Sequence, residues 1–317
     1  VEHTPRESVL ALADALRDNG ADLVVTIGGG TAIDTVKVAL ICLAEDVRTI
    51  EAFDRCHVRV EADGRRTVPD LAAPPCRQIA VPTTLSAAEF SDLAGCTDLR
   101  SGQKHHYTAR LIGPAAVILD PAMTLHTPES LWLSTGIRAL DHAIESLCSI
   151  EPQPLTDATS LRGVELLSRG LPHSKQASQD LAARLDCQLA VWLTSTGINR
   201  VPYGASHGIG HVLGAASGVP HGITSCVLLP AVLRYNREAT EAAQRQLARA
   251  LGDEHADPAA LVAAFIARLG LPSRLRDVDV RREQFTEIAE KALQNPWVRT
   301  NPRPIHRAEQ VMEILEA

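Results

Sequence analysis

Apolar and polar positions along the chain fall into two textures, one before and one after about residue 125. From Glu7 to Asn19 the apolar residues Val9, Leu10, Leu12, Ala13 and Leu16 recur at helical spacing and Gly20 closes the run, which predicts a helix. Asp22–Ile27 reads DLVVTI, a short β-branched run of the kind that forms a strand buried on both faces. Gly28-Gly29-Gly30 follows and Thr31–Ala44 returns to helical spacing, so strand, tight turn and helix make half of a βαβ unit. Residues 61–75 are polar and proline-rich and read as a loop. Gln78–Val81 and Ala115–Leu119 are two more strand-like runs, each ended by proline. Beyond Leu125 helical patterns dominate: Ser130–Ser149, Asp157–Arg169, Gln179–Thr196, Ala205–Ala216, Cys226–Glu238 and Thr240–Leu251, then three shorter helices to Ala317. The expected architecture is an α/β domain over 1–125 and an all-α domain over 126–317, with the boundary near Met123–Thr127.

A chain of 317 residues suits two domains. Lys plus Arg number 31 against 38 Asp plus Glu, a formal charge of −7 that disfavours both a nucleic-acid partner and an anionic membrane surface. Aromatic residues are only 3%, so the core is aliphatic and the composition argues against a base-stacking platform. The seven cysteines are odd in number, scattered and without a C-x-x-C pair, which argues against a disulfide framework and for a reducing cytoplasm. No apolar run is long enough to span a bilayer. The opening, Val1-Glu2-His3-Thr4-Pro5-Arg6-Glu7, has neither a leader's apolar stretch nor an initiator Met and reads like a chain entered partway.

Three places carry candidate chemistry. At Gly28-Gly29-Gly30-Thr31-Ala32-Ile33-Asp34-Thr35-Val36-Lys37, glycines between strand and helix let backbone approach a pyrophosphate, and the helix amino terminus adds unpaired N–H groups. The spacing is not G-x-G-x-x-G, and a plain tight turn is the competing reading. Pro82-Thr83-Thr84-Leu85-Ser86-Ala87-Ala88-Glu89-Phe90-Ser91 places four hydroxyls after a strand, where a ligand crevice opens or a helix is capped. Among the 12 histidines, His207, His211 and His221 crowd into 15 residues, and His207 and His211 share a helix face. Arg138 and His142 form a second i, i+4 pair. Such a cluster favours a metal or proton-transfer site over packed core histidines.

Taken together these motifs resemble the iron-containing (group III) alcohol dehydrogenase superfamily, and within it the maleylacetate reductase branch. Gly28–Lys37 matches G-G-G-S-x-x-D-x-x-K with Thr31 for Ser, and Pro82-Thr83-Thr84 runs to Glu89 at the reductase spacing. Lys104, Asp120-Pro121, Gly136–Glu145, Ser206–Gly222 and Asn301-Pro302-Arg303-Pro304-Ile305 match in order. The resemblance implies a Rossmann-like parallel α/β domain, an all-α domain and an active site in the cleft between them. It implies NAD or NADP as cofactor, bound by Gly28, Gly29, Gly30, Thr31, Asp34, Thr83, Thr84, Ser91, Lys104 and Leu125. Three metal-binding histidines carry over onto His142, His207 and His221, and an additional active-site histidine onto His211.

The metal-binding aspartate of the family, however, falls on Arg138, and a guanidinium cannot ligate a cation. With that departure, the resemblance implies an NAD(P)H-dependent, metal-independent reductase, a homodimer acting on a keto acid or similar carbonyl or enoate. Arg138 would anchor or polarise the substrate, and His207 or His211 would relay a proton. The bland alternative for Arg138 is a surface charge neutralising an acid. The competing functions are an alcohol dehydrogenase with iron or zinc on His142, His207 and His221, a nucleotide-binding protein with impaired catalysis, and a non-redox sugar-phosphate cyclase. Relatives carry a further strand-helix segment before the position of Val1, and that segment holds the residues that separate NAD from NADP.

Overall fold

The computed structural model describes residues 4–60 and 66–317. The chain's opening tripeptide and the first part of the expected 61–75 loop, 61–65, lie outside the described residues. The chain divides into two compact units, 1–124 and 125–317.

The first unit begins with α1 (Arg6–Asp18), followed by β1 (Leu23–Gly28) and α2 (Gly30–Ala44). Then come β2 (Arg59–Val60), β3 (Arg66–Thr67), β4 (Arg77–Pro82), the hairpin β5 (Leu93–Asp98) and β6 (Gln103–Thr108), and β7 (Ala116–Val117). Strands β1, β4 and β7 form a parallel sheet in that order, with Leu23 opposite Arg77 and Ile79 opposite Ala116. The core lies between the helices and the hairpin: Val9, Ala13, Val38, Ile41, Phe53, Ala94, Cys96 and Tyr107 are all buried together.

Strand β1 corrects the expectation of burial on both faces. Thr26 is buried and takes a hydrogen bond from Gln78 Nε2 at 2.9 Å, whereas Leu23, Val25 and Ile27 are each about half-exposed. A continuous apolar run does not tell one covered face from two. The β5–β6 hairpin is a further difference. Its residues LAGCTD and QKHHYT carry glycine, lysine and paired histidines that hide the strand pattern. The pairing is decided instead by Gly102 in a left-handed turn conformation and by what packs beneath.

A buried arginine ties the hairpin to the helices. Arg6 is fully buried, with Nη1 2.6 Å from Asp54 and 3.1 Å from Asp98, and Nη2 donating to His105 Nδ1 at 3.0 Å. The adjacent guanidinium groups of Arg100 and Arg6 hold the Asp98 carboxyl well below the usual range. His105 stacks on His57 at 4.2 Å, and its pKa falls to about 4 through burial and neighbouring positive charge.

The second unit is helical among the described residues: α3 (Glu129–Leu147), α4 (Pro154–Gln176), α5 (Leu181–Thr194), α6 (Ala205–Ser217) and α7 (His221–Tyr235). They are followed by α8 (Glu241–Ala250), α9 (Pro258–Arg268), α10 (Phe285–Ala292), the single turn α11 (Pro296–Arg299) and α12 (Ala308–Leu315). The expected helices are present, with shifted ends. Helix α4 runs on through Pro172 to Gln176, and α7 begins five residues before the expected Cys226 because Pro220 stands at its cap and makes His221 the first helical residue. Helix α3 is buried along Trp132–Leu147, so it forms the axis of the unit. All seven cysteines are buried and unpaired. Among the described residues no helix is long and apolar enough to cross a membrane.

Candidate active site

In the first unit the triple glycine joins β1 to the amino terminus of α2, whose first N–H groups have no partner within the helix. Gly29 stands so close to the Thr84 side chain that a Cβ would lie 2.9 Å from its methyl, and a Cβ on Gly30 would lie 2.7 Å from Ser86 Oγ. The hydroxyls of Thr84 and Ser86 are buried without a hydrogen-bond partner. Two orphaned hydroxyls beside a helix amino terminus make a cradle for an oxyanion. Thr31 is exposed at the same turn, and Thr83 is half-buried, with its N–H donating to Gly28 O at 2.9 Å.

Other expected cofactor residues have structural partners. Asp34 Oδ2 accepts the Gly95 N–H at 3.1 Å and Oδ1 lies 3.6 Å from Lys37 Nζ. Lys37 is fully buried, and its ammonium donates to the carbonyls of Ala88 and Leu93 at 2.5 and 2.9 Å, clamping α2 to the loop before β5. Ser91 Oγ donates to Leu93 O at 3.2 Å. Lys104 is exposed on β6, with its side chain over Gly95, where a Cβ would strike it. Leu125 is half-buried and opens the second unit. Glu89 is buried with Oε2 unpartnered, and burial raises its pKa to about 7.

In the second unit Arg138, Asp141, His142 and Glu145 lie at i, i+3, i+4 and i+7 of α3, forming one polar stripe on a buried helix. Arg138 is only 4% exposed, which removes the surface-charge reading. Its Nη1 donates to Ser225 Oγ at 3.1 Å and lies 3.5 Å from Asp141 Oδ2, and its Nη2 donates to His221 Nε2 at 2.7 Å. Asp141 Oδ2 accepts the hydroxyls of Ser206 and Ser225 at 2.8 and 2.6 Å, while Oδ1 has no partner. Burial, then the Glu145 charge, pushes the Asp141 carboxyl up to about 7.

Helix α6 has no side-chain cap of its own, and Glu145 supplies one from α3. The carboxylate accepts backbone N–H groups of Gly204, Ser206 and His207 at 3.2, 2.9 and 3.2 Å, and Oε2 lies 2.7 Å from His207 Nδ1. Burial raises the Glu145 pKa and these donors oppose the rise. His207 Nε2 is 3.0 Å from His142 Nδ1, which is 3.2 Å from the Tyr203 hydroxyl. Burial holds both histidines well below their ordinary pKa, so both are neutral. His211 is half-buried, stacked 5.1 Å from His221 and 4.6 Å from Trp297, and the Trp297 ring is also 5.9 Å from His207.

The structure thus gathers Arg138, His142, His207, His211 and His221 around α3, α6 and α7. It adds Asp141, Glu145, Tyr203, Ser206, Ser225 and Trp297. The two carboxylates were visible in the sequence as the rest of the α3 polar stripe; the others had no local signal. Ligand atoms of Asp141, Glu145 and His207 all lie within 4.8 Å of one another, a grouping the sequence reading did not include.

Residues 1–121 match iron-containing alcohol dehydrogenase, and residues 132–317 match the Fe-containing alcohol dehydrogenase family, C-terminal. The chain belongs to the iron-containing alcohol dehydrogenase family. It is 35% identical over 347 residues to Dehydrogenase ALT3 of Alternaria alternata, covering 99% of this chain and 88% of that protein. The solved maleylacetate reductase from Agrobacterium tumefaciens superposes with a TM-score of 0.82 at 29% identity, over 100% of this chain and 79% of that one. Sulfoacetaldehyde reductase from Bifidobacterium kashiwanohense, solved in complex with NAD+, gives 0.86 at 25% identity over 100% and 81%.

Proposed function

We propose that this oxidoreductase is an NAD(P)H-dependent reductase of the maleylacetate reductase kind, passing hydride to the carbonyl or enoate carbon of a keto acid without a divalent metal. One observation carries the reading: Arg138 Nη2 donates into His221 Nε2 at 2.7 Å. That lone pair is already committed, and a fixed positive charge stands where a cation would have to approach. His142 Nδ1 and His207 Nε2 are likewise committed to each other at 3.0 Å. These contacts support a site that works without a divalent ion.

The Asp141, Glu145 and His207 grouping favours a second, metal-dependent reading. Against it, Asp141 Oδ2 already accepts two hydroxyls and the Glu145 oxygens accept three backbone N–H groups, which leaves Asp141 Oδ1 as the unbonded oxygen.

The nucleotide domain, 1–125, suits its cofactor better. Gly28, Gly29, Gly30 and Thr31, with the orphaned Thr84 hydroxyl and the neighbouring Thr83, would cradle the pyrophosphate, and the NAD+ complex of the sulfoacetaldehyde reductase supports this. When bound, the reduced nicotinamide supplies the hydride. In the substrate domain, 126–317, Arg138 takes a substrate oxygen or carboxylate with its remaining N–H hydrogens, and half-buried His211 relays the proton. The test is NAD(P)H oxidation with a panel of keto acids before and after chelation. The rate should survive chelation and not rise with zinc or iron. Loss on chelation that either metal restores assigns the second reading, and tight NAD(P)H binding without turnover on any substrate assigns a binding protein.

A further inference from the structure

The loop after β4 holds a backbone conformation that its own residues do not favour. Ala87 stands at φ 66° and ψ 6°, in the left-handed region, and is buried. Glycine enters that region freely, and asparagine or aspartate supports it with a local side-chain hydrogen bond; alanine meets the Cβ clash with no such support. The hold has to come from outside the residue.

Lys37 supplies it from α2. Its side chain is fully buried, and Nζ donates to Ala88 O at 2.5 Å, one residue past the left-handed turn, to Leu93 O at 2.9 Å and to Ser91 Oγ at 3.4 Å. Asp34 Oδ1 lies farther off at 3.6 Å. An ammonium has three hydrogens and no lone pair, so the three loop oxygens take all of them. The other end of the loop is tied by the Thr83 N–H, which donates to Gly28 O at 2.9 Å. Between the two ties lie the unpartnered hydroxyls of Thr84 and Ser86, whose side chains press on Gly29 and Gly30.

We propose that Lys37 is a positioning residue for the nucleotide cofactor: it keeps Ala87 in the left-handed turn and so fixes the Thr84 and Ser86 hydroxyls against the glycine turn before the cofactor arrives. Being fully buried, Lys37 acts through the loop. A cradle set in advance binds without the loss of freedom that ordering the loop would bring, so removing the tie lowers affinity. The role of the hydroxyls rests on the cofactor reading of this turn; the tie between Lys37 and Ala87 does not.

One measurement needs no variant. The Phe90 N–H donates to Ala87 O at 3.1 Å, a bond that reports the turn. Amide hydrogen exchange of the cofactor-free parent, read by nitrogen-15 NMR, should show Phe90 protected. Free exchange there means that Lys37 does not hold the loop, and the proposal fails whether or not any variant folds. Lys37→Met removes all three ties and should weaken NADH or NADPH binding about 10-fold in a fluorescence titration, while Ala87→Gly alone changes it little. Adding Ala87→Gly to Lys37→Met should restore affinity to within about 3-fold of the parent, because glycine takes the turn unaided. General loss of packing around a buried lysine would not be rescued at Ala87. Parent-like affinity in Lys37→Met, or a double variant that binds no better than the single one, overturns the proposal. A parent that binds neither nucleotide refutes the cofactor reading and the proposal with it; a parent that binds with an unprotected Phe90 amide refutes the proposal alone.

Discussion

Replacing Arg138 by Met separates two roles for its charge. The guanidinium is 4% exposed and has five N–H hydrogens, of which one goes to Ser225 at 3.1 Å and one to His221 at 2.7 Å. Nη1 also faces Asp141 Oδ2 at 3.5 Å, and the proposed role gives the remaining hydrogens to a substrate. A charge-assisted contact to a carboxylate in so dry a place is worth about 2–4 kcal/mol, so KM for keto acids should rise roughly 30-fold or more while KM for uncharged aldehydes barely moves. A purely polarising role would instead lower kcat for both substrate types alike.

The variant also strips Asp141 of the cation 3.5 Å away. Breaking a buried pair costs about 3–5 kcal/mol, reduced here because an Asp141 pKa already near 7 lets the carboxyl take up a proton. The melting temperature should therefore drop, and kinetics should be read well below it with the fold checked by circular dichroism. Steady-state NADH and NADPH oxidation against paired keto acids and aldehydes gives both constants. If neither kcat nor KM changes for any substrate, Arg138 takes no part in the reaction and the account of this site is wrong.

Two other outcomes are expected. Gly30→Val places a branched side chain against Ser86 Oγ, already 2.7 Å from an ideal Cβ, and should weaken NAD(P)H binding at least about 10-fold in a fluorescence titration; unaltered affinity would remove the triple glycine from the cofactor site. Buried Glu89, raised to about 7 from an unfolded value near 4.3, binds its proton more tightly when folded, so its contribution to stability is present below about pH 4 and is lost as pH climbs to 7, about 3 kcal/mol in all. Asp141 adds a slope of the same sign, so denaturant unfolding of Glu89→Gln and of the parent should be compared between pH 5 and 8, and identical slopes would show that Glu89 does not titrate there.

Part of this site was legible because its signals are local. The β1–glycine–α2 sequence, the i, i+4 pairs Arg138/His142 and His207/His211, and the change of texture near residue 125 all lie within one or two helical turns or one strand-turn-helix. Periodicity also located each long helix of the second unit, with ends that moved by a few residues where Pro220 and Pro172 intervened. What decides the chemistry lies at long range. Arg138 meets His221 across 83 residues, His207 meets Glu145 across 62, and Asp141 meets Ser225 across 84. Nothing in the spacing of α3 says that its polar stripe will cap α6, or that its arginine will occupy a histidine lone pair.

The same holds for the exposed face of β1 and for the β5–β6 hairpin, where Arg6 must first be buried against Asp54, Asp98 and His105. Residue type and spacing determine which groups can donate, accept or carry charge. Only packing determines which of them lose water, and loss of water holds His142 and His207 neutral and raises Asp141 and Glu89 toward pH 7.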